Sequence, residues 1–119
     1  MTAPARPDDC LFCKIVAGDV PAEVVHATEN AVAFRDVAPQ APTHVLVVPT
    51  SHYANAAELA HHEPATMAGL VAVAAAVADD EGLDGQYRMV LNTGEEAGQS
   101  VFHTHLHLLG GRSMGWPPG

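Results

Sequence analysis

The run His103-Thr104-His105-Leu106-His107-Leu108-Leu109 places a histidine at every second position. Successive side chains of an extended strand point to opposite faces, so the alternation aligns His103, His105 and His107 on one face and Thr104, Leu106 and Leu108 on the other. One face is chemical and the other is core. With a rise of about 3.3 Å per residue, neighbouring imidazoles start roughly 6.6 Å apart, near enough for two of them to reach opposite sides of one phosphate-sized group. A strand can carry polar residues on a solvated face for solubility alone. Histidine serves that purpose poorly at neutral pH, whereas its near-neutral pKa suits general acid or base work and metal ligation.

The rest of the chain supplies a scaffold for that strand. Residues 1–9, with Pro4 and Pro7, read as a disordered lead-in, and residues 10–119 as one domain. Residues 11–16 form a short apolar helix stopped by Gly18. Residues 24–27 and 31–34 make a hairpin, and residues 44–48, closed by Pro49, a third strand. Glu63-Pro64 opens the one long helix, where Met67, Leu70, Val71, Ala74 and Val77 predict a buried stripe and Gly82 the end. His61-His62, just before it, reads as solvated. Residues 87–91 and 102–109 are the last two strands, joined by the polar loop 92–100. Five strands in hairpin-like order with one long and one short helix predict an α+β fold with a mostly antiparallel five-stranded sheet.

Five basic against fourteen acidic residues give a formal charge of −9, and Arg6, Lys14, Arg35, Arg88 and Arg112 are scattered. A polynucleotide surface needs several cations in one patch, so no nucleic-acid polymer is expected as a partner. A single nucleotide is compatible, because loop amides, hydroxyls and histidines can hold one phosphate without lysine. No apolar run approaches the ~20 residues of a membrane span, and the start lacks a basic n-region and an apolar h-region. The expected location is cytoplasmic.

A histidine strand preceded by Gly98-Gln99-Ser100 offers what attack on phosphorus needs. Imidazole is a good nucleophile at neutral pH, neighbouring imidazoles can stabilise oxygen charge, and loop amides plus a hydroxyl can hold the phosphoryl group. That scheme requires no cofactor. The run HTHLHLL also resembles the His-x-His-x-His-x-x signature, x apolar, of the histidine triad superfamily of nucleotide hydrolases and transferases, with Thr104 departing at one x position. AFRDVAPQAPTHVLVVP at residues 33–49, NTGEEAGQSVFHTHLHLLGGR at residues 92–112 and the terminal WPPG resemble its Hint branch. The likeness spans nearly the whole chain from Asp9 onward.

By position, the resemblance implies that His105 is the nucleophile forming a nucleotidyl-histidine intermediate. It implies that His107 contacts the phosphate or leaving group, while His103 and His44 orient and shuttle protons beside Ser100. Asp36 would bind the ribose; Leu11, Phe12, Ile15, Phe34 and Val37 would form the base pocket; Asn92, Gly98, Gln99 and Ser100 would hold the phosphate. Read without the resemblance, Leu11, Phe12, Ile15 and Phe34 are plain core and Asp36 a turn aspartate. The implied activity is cleavage of purine nucleoside 5′-phosphoramidates or related nucleotidyl conjugates. The implied assembly is a homodimer whose tail, with Trp116, crosses to the partner's site.

Two other readings remain open at this stage: a non-catalytic nucleotide-binding or partner-binding dimer, and a metal-dependent hydrolase using the His-x-His-x-His cluster. Cys10-x-x-Cys13 is a redox pair, half of a zinc site or two unrelated buried thiols, since two cysteines cannot close a tetrahedron. His52 and His103 are the candidates to complete a structural zinc site. Zinc-bearing bacterial relatives resemble that pattern.

Overall fold

A computed structural model describes residues 7–119. Most of the expected disordered lead-in, residues 1–6, lies outside the described residues. The elements run α1 (Leu11–Val16), β1 (Val24–Ala27), β2 (Ala31–Arg35), β3 (Thr43–Pro49), α2 (Ala56–His62), α3 (Pro64–Asp80), β4 (Tyr87–Val90) and β5 (Leu106–Gly110). The strands form one antiparallel sheet in the order β1-β2-β3-β5-β4, so the α+β architecture expected from the sequence is the one observed.

Register decides which side chains share a face. Phe34 pairs with Leu46 and Leu46 with His107, whereas Ala33 pairs with Val47 and Val47 with Leu106. The second set faces α3, where Ala33, Val45, Val47, Leu106 and Leu108 pack against Leu70, Val73, Ala74 and Val77. The first set faces away from it, and Phe34, Leu46 and Val48 pack beneath Cys10, Phe12 and Cys13 of the α1 region. Every residue of β3 is buried because both faces of this strand are covered.

Three differences from the sequence reading stand out. The stripe of α3 is rotated: Val73 and Ala78 are buried while Val71 is 43% exposed. No polar residue interrupts residues 67–78, so periodicity cannot choose the inner face there and the sheet does. A further short helix, α2, precedes α3; the Asn55 side chain accepts from the Glu58 amide at 3.0 Å, and the Glu58 carboxylate accepts from the Ala54 amide at 3.2 Å. Asn55-x-x-Glu58 was the signal for it. His62 at its end is half-buried and stacks on Tyr53 with ring centroids 5.3 Å apart, while His61 is exposed.

The third difference concerns the histidines themselves. The last strand begins at Leu106, not Phe102, so His107 alone of the three lies within it. Just ahead of it, the Thr104 amide and hydroxyl both donate to the Tyr53 carbonyl, at 2.8 and 3.0 Å. That clamp takes the place of a ladder partner, and the alternation persists: Thr104 meets Tyr53 on the α3 side, while His103, against Cys10, Cys13 and Phe12, stays on the α1 side with His105.

Candidate active site

On the sheet face away from α3 lies a cleft of about 400 Å³. α1 forms one wall with Leu11, Phe12 and Ile15; Phe34 and Leu46 form the floor; Asp36, Val37, Ser100, His105 and His107 are among the other residues that line it. Phe12 stands edge-on to both Phe34 (5.6 Å between centroids) and His105 (5.0 Å). The apolar residues named from the sequence therefore meet the histidines in one cavity. Asn92, Gly98, Gln99 and Trp116 are not among its lining residues. The Gln99 side chain is turned inward: its oxygen accepts from the Gly94 amide, and its nitrogen donates to the carbonyls of Ala54 and Val101. The Gln99 backbone amide donates to the Gly94 carbonyl at 3.1 Å, so this residue braces the loop and has no N–H left for a ligand. Trp116 stands 85% exposed on the tail.

Fixed partners set the tautomers of the two cleft histidines. His105 Nδ1 lies 2.8 Å from the His103 carbonyl oxygen, which can only accept, so Nδ1 carries the proton and Nε2 of the neutral ring keeps its lone pair. His44 Nδ1 accepts from the Gln40 amide at 3.0 Å, so the His44 proton sits on Nε2. That nitrogen is 2.9 Å from His107 Nδ1 and 3.4 Å from Asp36 Oδ2. His107 accordingly accepts at Nδ1 and carries its own proton on Nε2. Burial, helped by the neighbouring His105 and His44, holds His107 down to about 4, and burial lowers His44 despite the nearby Asp36 carboxylate. Both are neutral at pH 7. The site thus pairs one lone-pair nitrogen with one N–H donor.

Asp36, His44 and His107 also lie close enough together to suggest a cation site. The Gln40 amide argues against it. A cation on His44 Nε2 would drive the proton to Nδ1, directly against that N–H, so the trio works as a hydrogen-bond relay.

His103 belongs to a second cluster. Its Nε2 lies 2.9 Å from the Pro49 carbonyl, leaving Nδ1 as an acceptor, and burial holds this ring down to about 4. His103 Nδ1 is 3.4 Å from both Cys10 Sγ and Cys13 Sγ and 3.1 Å from His52 Nδ1, and Cys13 Sγ is 3.4 Å from His52 Nδ1. Around a tetrahedral zinc with bonds of about 2.0–2.1 Å to nitrogen and 2.3 Å to sulfur, neighbouring donors sit roughly 3.3–3.8 Å apart. The four donors fit that spacing, and the Pro49 carbonyl supplies the outer hydrogen bond that a ligating histidine requires. The His-x-His-x-His imidazoles do not converge on a common point of their own; His103 joins the cysteines.

The HIT domain family model matches residues 17–114. The chain belongs to the HIT family. Among HIT relatives, it is similar to the 14 kDa zinc-binding protein of Zea mays, 44% identical over 118 residues covering 96% of this chain and 92% of that one. It is similar in structure to a HIT family hydrolase from Legionella pneumophila, with a TM-score of 0.89 and 47% identity, covering 93% of this chain and 100% of that one. A histidine triad nucleotide-binding protein from Candida albicans superposes with a TM-score of 0.80 at 29% identity, covering 92% and 83%. The HIT fold and the five-stranded sheet expected from the sequence are thereby established. Among the described residues, no helix of this HIT chain is long and apolar enough to cross a membrane.

Proposed function

We propose that this chain is a nucleotidyl hydrolase of the Hint branch that cleaves purine nucleoside 5′-phosphoramidates through a covalent intermediate on His105. One observation carries the reading: over a single cleft, His105 presents a bare Nε2 while His107 presents an Nε2–H. A site built only to hold a nucleotide needs donors, not a lone pair aimed at phosphorus. His105 Nε2 attacks phosphorus, the phosphorus–nitrogen bond breaks and the amine leaves, hydrogen-bonded by His107 Nε2–H. The amine takes its proton through His107 Nε2–H, which is reprotonated from solvent, and the water that hydrolyses the nucleotidyl-histidine releases one proton back to solvent, so the cycle closes with no net change at the histidines. Leu11, Phe12, Ile15, Phe34 and Val37 take the base, Asp36 the ribose and Ser100 the phosphate, while the Gly98 and Gln99 amides, donating to the carbonyls of Glu95 and Gly94, hold the shape of the turn. The names of the Legionella and Candida relatives support hydrolysis and nucleotide binding.

Zinc held by Cys10, Cys13, His52 and His103 ties α1 to the sheet and supplies no step of the reaction. The name of the maize relative supports it, as does the fit of the four donors. The working unit in this reading is a homodimer joined through α3 and the sheet edge, where β4 pairs only with β5 and Val71 is exposed, with Trp116 reaching the partner's cleft. The deciding experiment is mass spectrometry after brief mixing with adenosine 5′-phosphoramidate. An adenylyl adduct on His105 supports the mechanism; turnover without any adduct under quenched conditions overturns it.

A further inference from the structure

The zinc cluster and the cleft share one small element. α1 is six residues long, too short to persist without tertiary contacts. Cys10 caps it, its Sγ accepting from the Cys13 amide at 3.3 Å, and Cys13 lies one turn on. Between and beyond them Leu11, Phe12 and Ile15 form the cleft wall. Phe12 also touches both histidines of interest, edge-on to His105 at 5.0 Å and to His103 at 6.0 Å. Whatever repositions the two sulfurs moves the wall against which a base would pack.

The sulfurs are reduced, lie within 4.8 Å of each other, and are unequal in access. Cys10 lines a second surface cavity of about 300 Å³ with Asp9, Leu11, Ser100, Val101 and Phe102, which borders the cleft through Leu11, Ser100 and Val101. Cys13 is more deeply buried and does not line it. A disulfide holds its sulfurs about 2.05 Å apart, whereas two sulfurs on one tetrahedral zinc stand roughly 3.8 Å apart. Metal and disulfide therefore exclude each other.

We propose that Cys10 and Cys13 form a hydroperoxide-sensitive clasp: their oxidation to a disulfide expels the zinc held with His52 and His103, loosens α1 and lowers the affinity of the cleft for nucleotide. The Cys10 thiolate attacks one peroxide oxygen through the second cavity, the O–O bond breaks, hydroxide leaves and Cys10 becomes a sulfenic acid. The Cys13 thiolate then attacks the Cys10 sulfur and expels the second hydroxide. Two electrons pass from the sulfurs to the peroxide, the metal departs as the dication, and reduction by an external thiol followed by zinc uptake restores the clasp.

The affinity change rests on the nucleotide-binding reading above, whereas the metal release does not. The test uses the full chain loaded with zinc and treated with near-stoichiometric hydrogen peroxide. A chromophoric chelator reads released zinc, intact mass reads the loss of two hydrogens, and calorimetry with AMP reads affinity. The expected result is release of one equivalent of zinc in step with the disulfide and an AMP affinity lowered at least about fivefold, both reversed by dithiothreitol and zinc. In Cys13→Ser, oxidation is expected to stop at a one-oxygen adduct on Cys10. Zinc retained through the treatment, a protein that takes up no zinc, or a disulfide that leaves AMP affinity unchanged overturns the clasp. Reduced, zinc-loaded protein that fails to bind AMP instead sinks the nucleotide reading, while zinc release in step with the disulfide still upholds the redox half.

Discussion

His105 Nδ1 sits 2.8 Å from the carbonyl oxygen of His103, so the backbone of one triad histidine fixes the tautomer of the next. The His103 ring meanwhile faces the cysteines. One residue therefore joins the Cys10, Cys13 and His52 cluster through its side chain and the cleft through its main chain.

If His105 is the nucleophile, His105→Ala should lower turnover of a nucleoside phosphoramidate at least about a thousandfold while the dissociation constant for AMP stays within a few-fold. Binding uses the cleft wall and floor, but the covalent step needs this imidazole. Steady-state rates near those of the unaltered chain would refute the mechanism.

Acid should destabilise the fold through its buried histidines. His103 and His107 are held down to about 4 by burial, and His44 is lowered for the same reason, whereas in the unfolded chain all three titrate near 6.5. Below that value the unfolded state binds protons that the folded state refuses. The stabilisation is therefore complete above about pH 6.5 and drains away as pH falls towards 4. Urea midpoints should drop steadily over that window, and a His107→Asn variant should show a shallower slope. A flat midpoint from pH 7 to 4.5 would contradict the burial argument.

Stripping the metal should act on stability more than on chemistry. A strong chelator is expected to lower the unfolding midpoint of zinc-loaded protein by about 10 °C, as loss of a ligand worth roughly 3 kcal/mol would in a domain this small. Loss of all activity with the midpoint unchanged, restored by zinc, would instead favour a catalytic metal.

Gly110 is constrained by packing. A β-carbon there would lie 2.5 Å from Leu83 Cδ1 and 3.0 Å from its Cδ2. Gly110→Ala should cost about 1–3 kcal/mol in chemical denaturation, and much less in a Leu83→Ala background where the space is already open. Equal costs in both backgrounds would place the strain elsewhere.

The exposed Trp116 should matter through a second subunit. Deleting residues 114–119 is expected to change relative rates across several amine leaving groups about tenfold while sedimentation still reports a dimer. A monomer at micromolar concentration, or unchanged selectivity after truncation, would remove the proposed role of the tail.

Much of this was legible in the chain alone. Five strand segments, the long helix opened by Pro64, the histidine alternation and Cys10-x-x-Cys13 are local patterns, and local patterns report strand or helix geometry directly. Tertiary structure decided the rest. The buried stripe of α3 could not be read from an unbroken alanine and valine run, because only the opposing sheet selects a face. That the His103 ring meets Cys10, Cys13 and His52 depends on where the fold seats α1, and the proton positions of His105 and His107 depend on the His103 carbonyl and on the Gln40 amide acting through His44. Alternation states which side of a strand a residue occupies, but not which partner the fold brings against its ring, whether a carbonyl two residues back for His105 or a histidine 63 residues away for His107. In this protein those partners determine which ring nitrogen keeps its lone pair and which carries the proton.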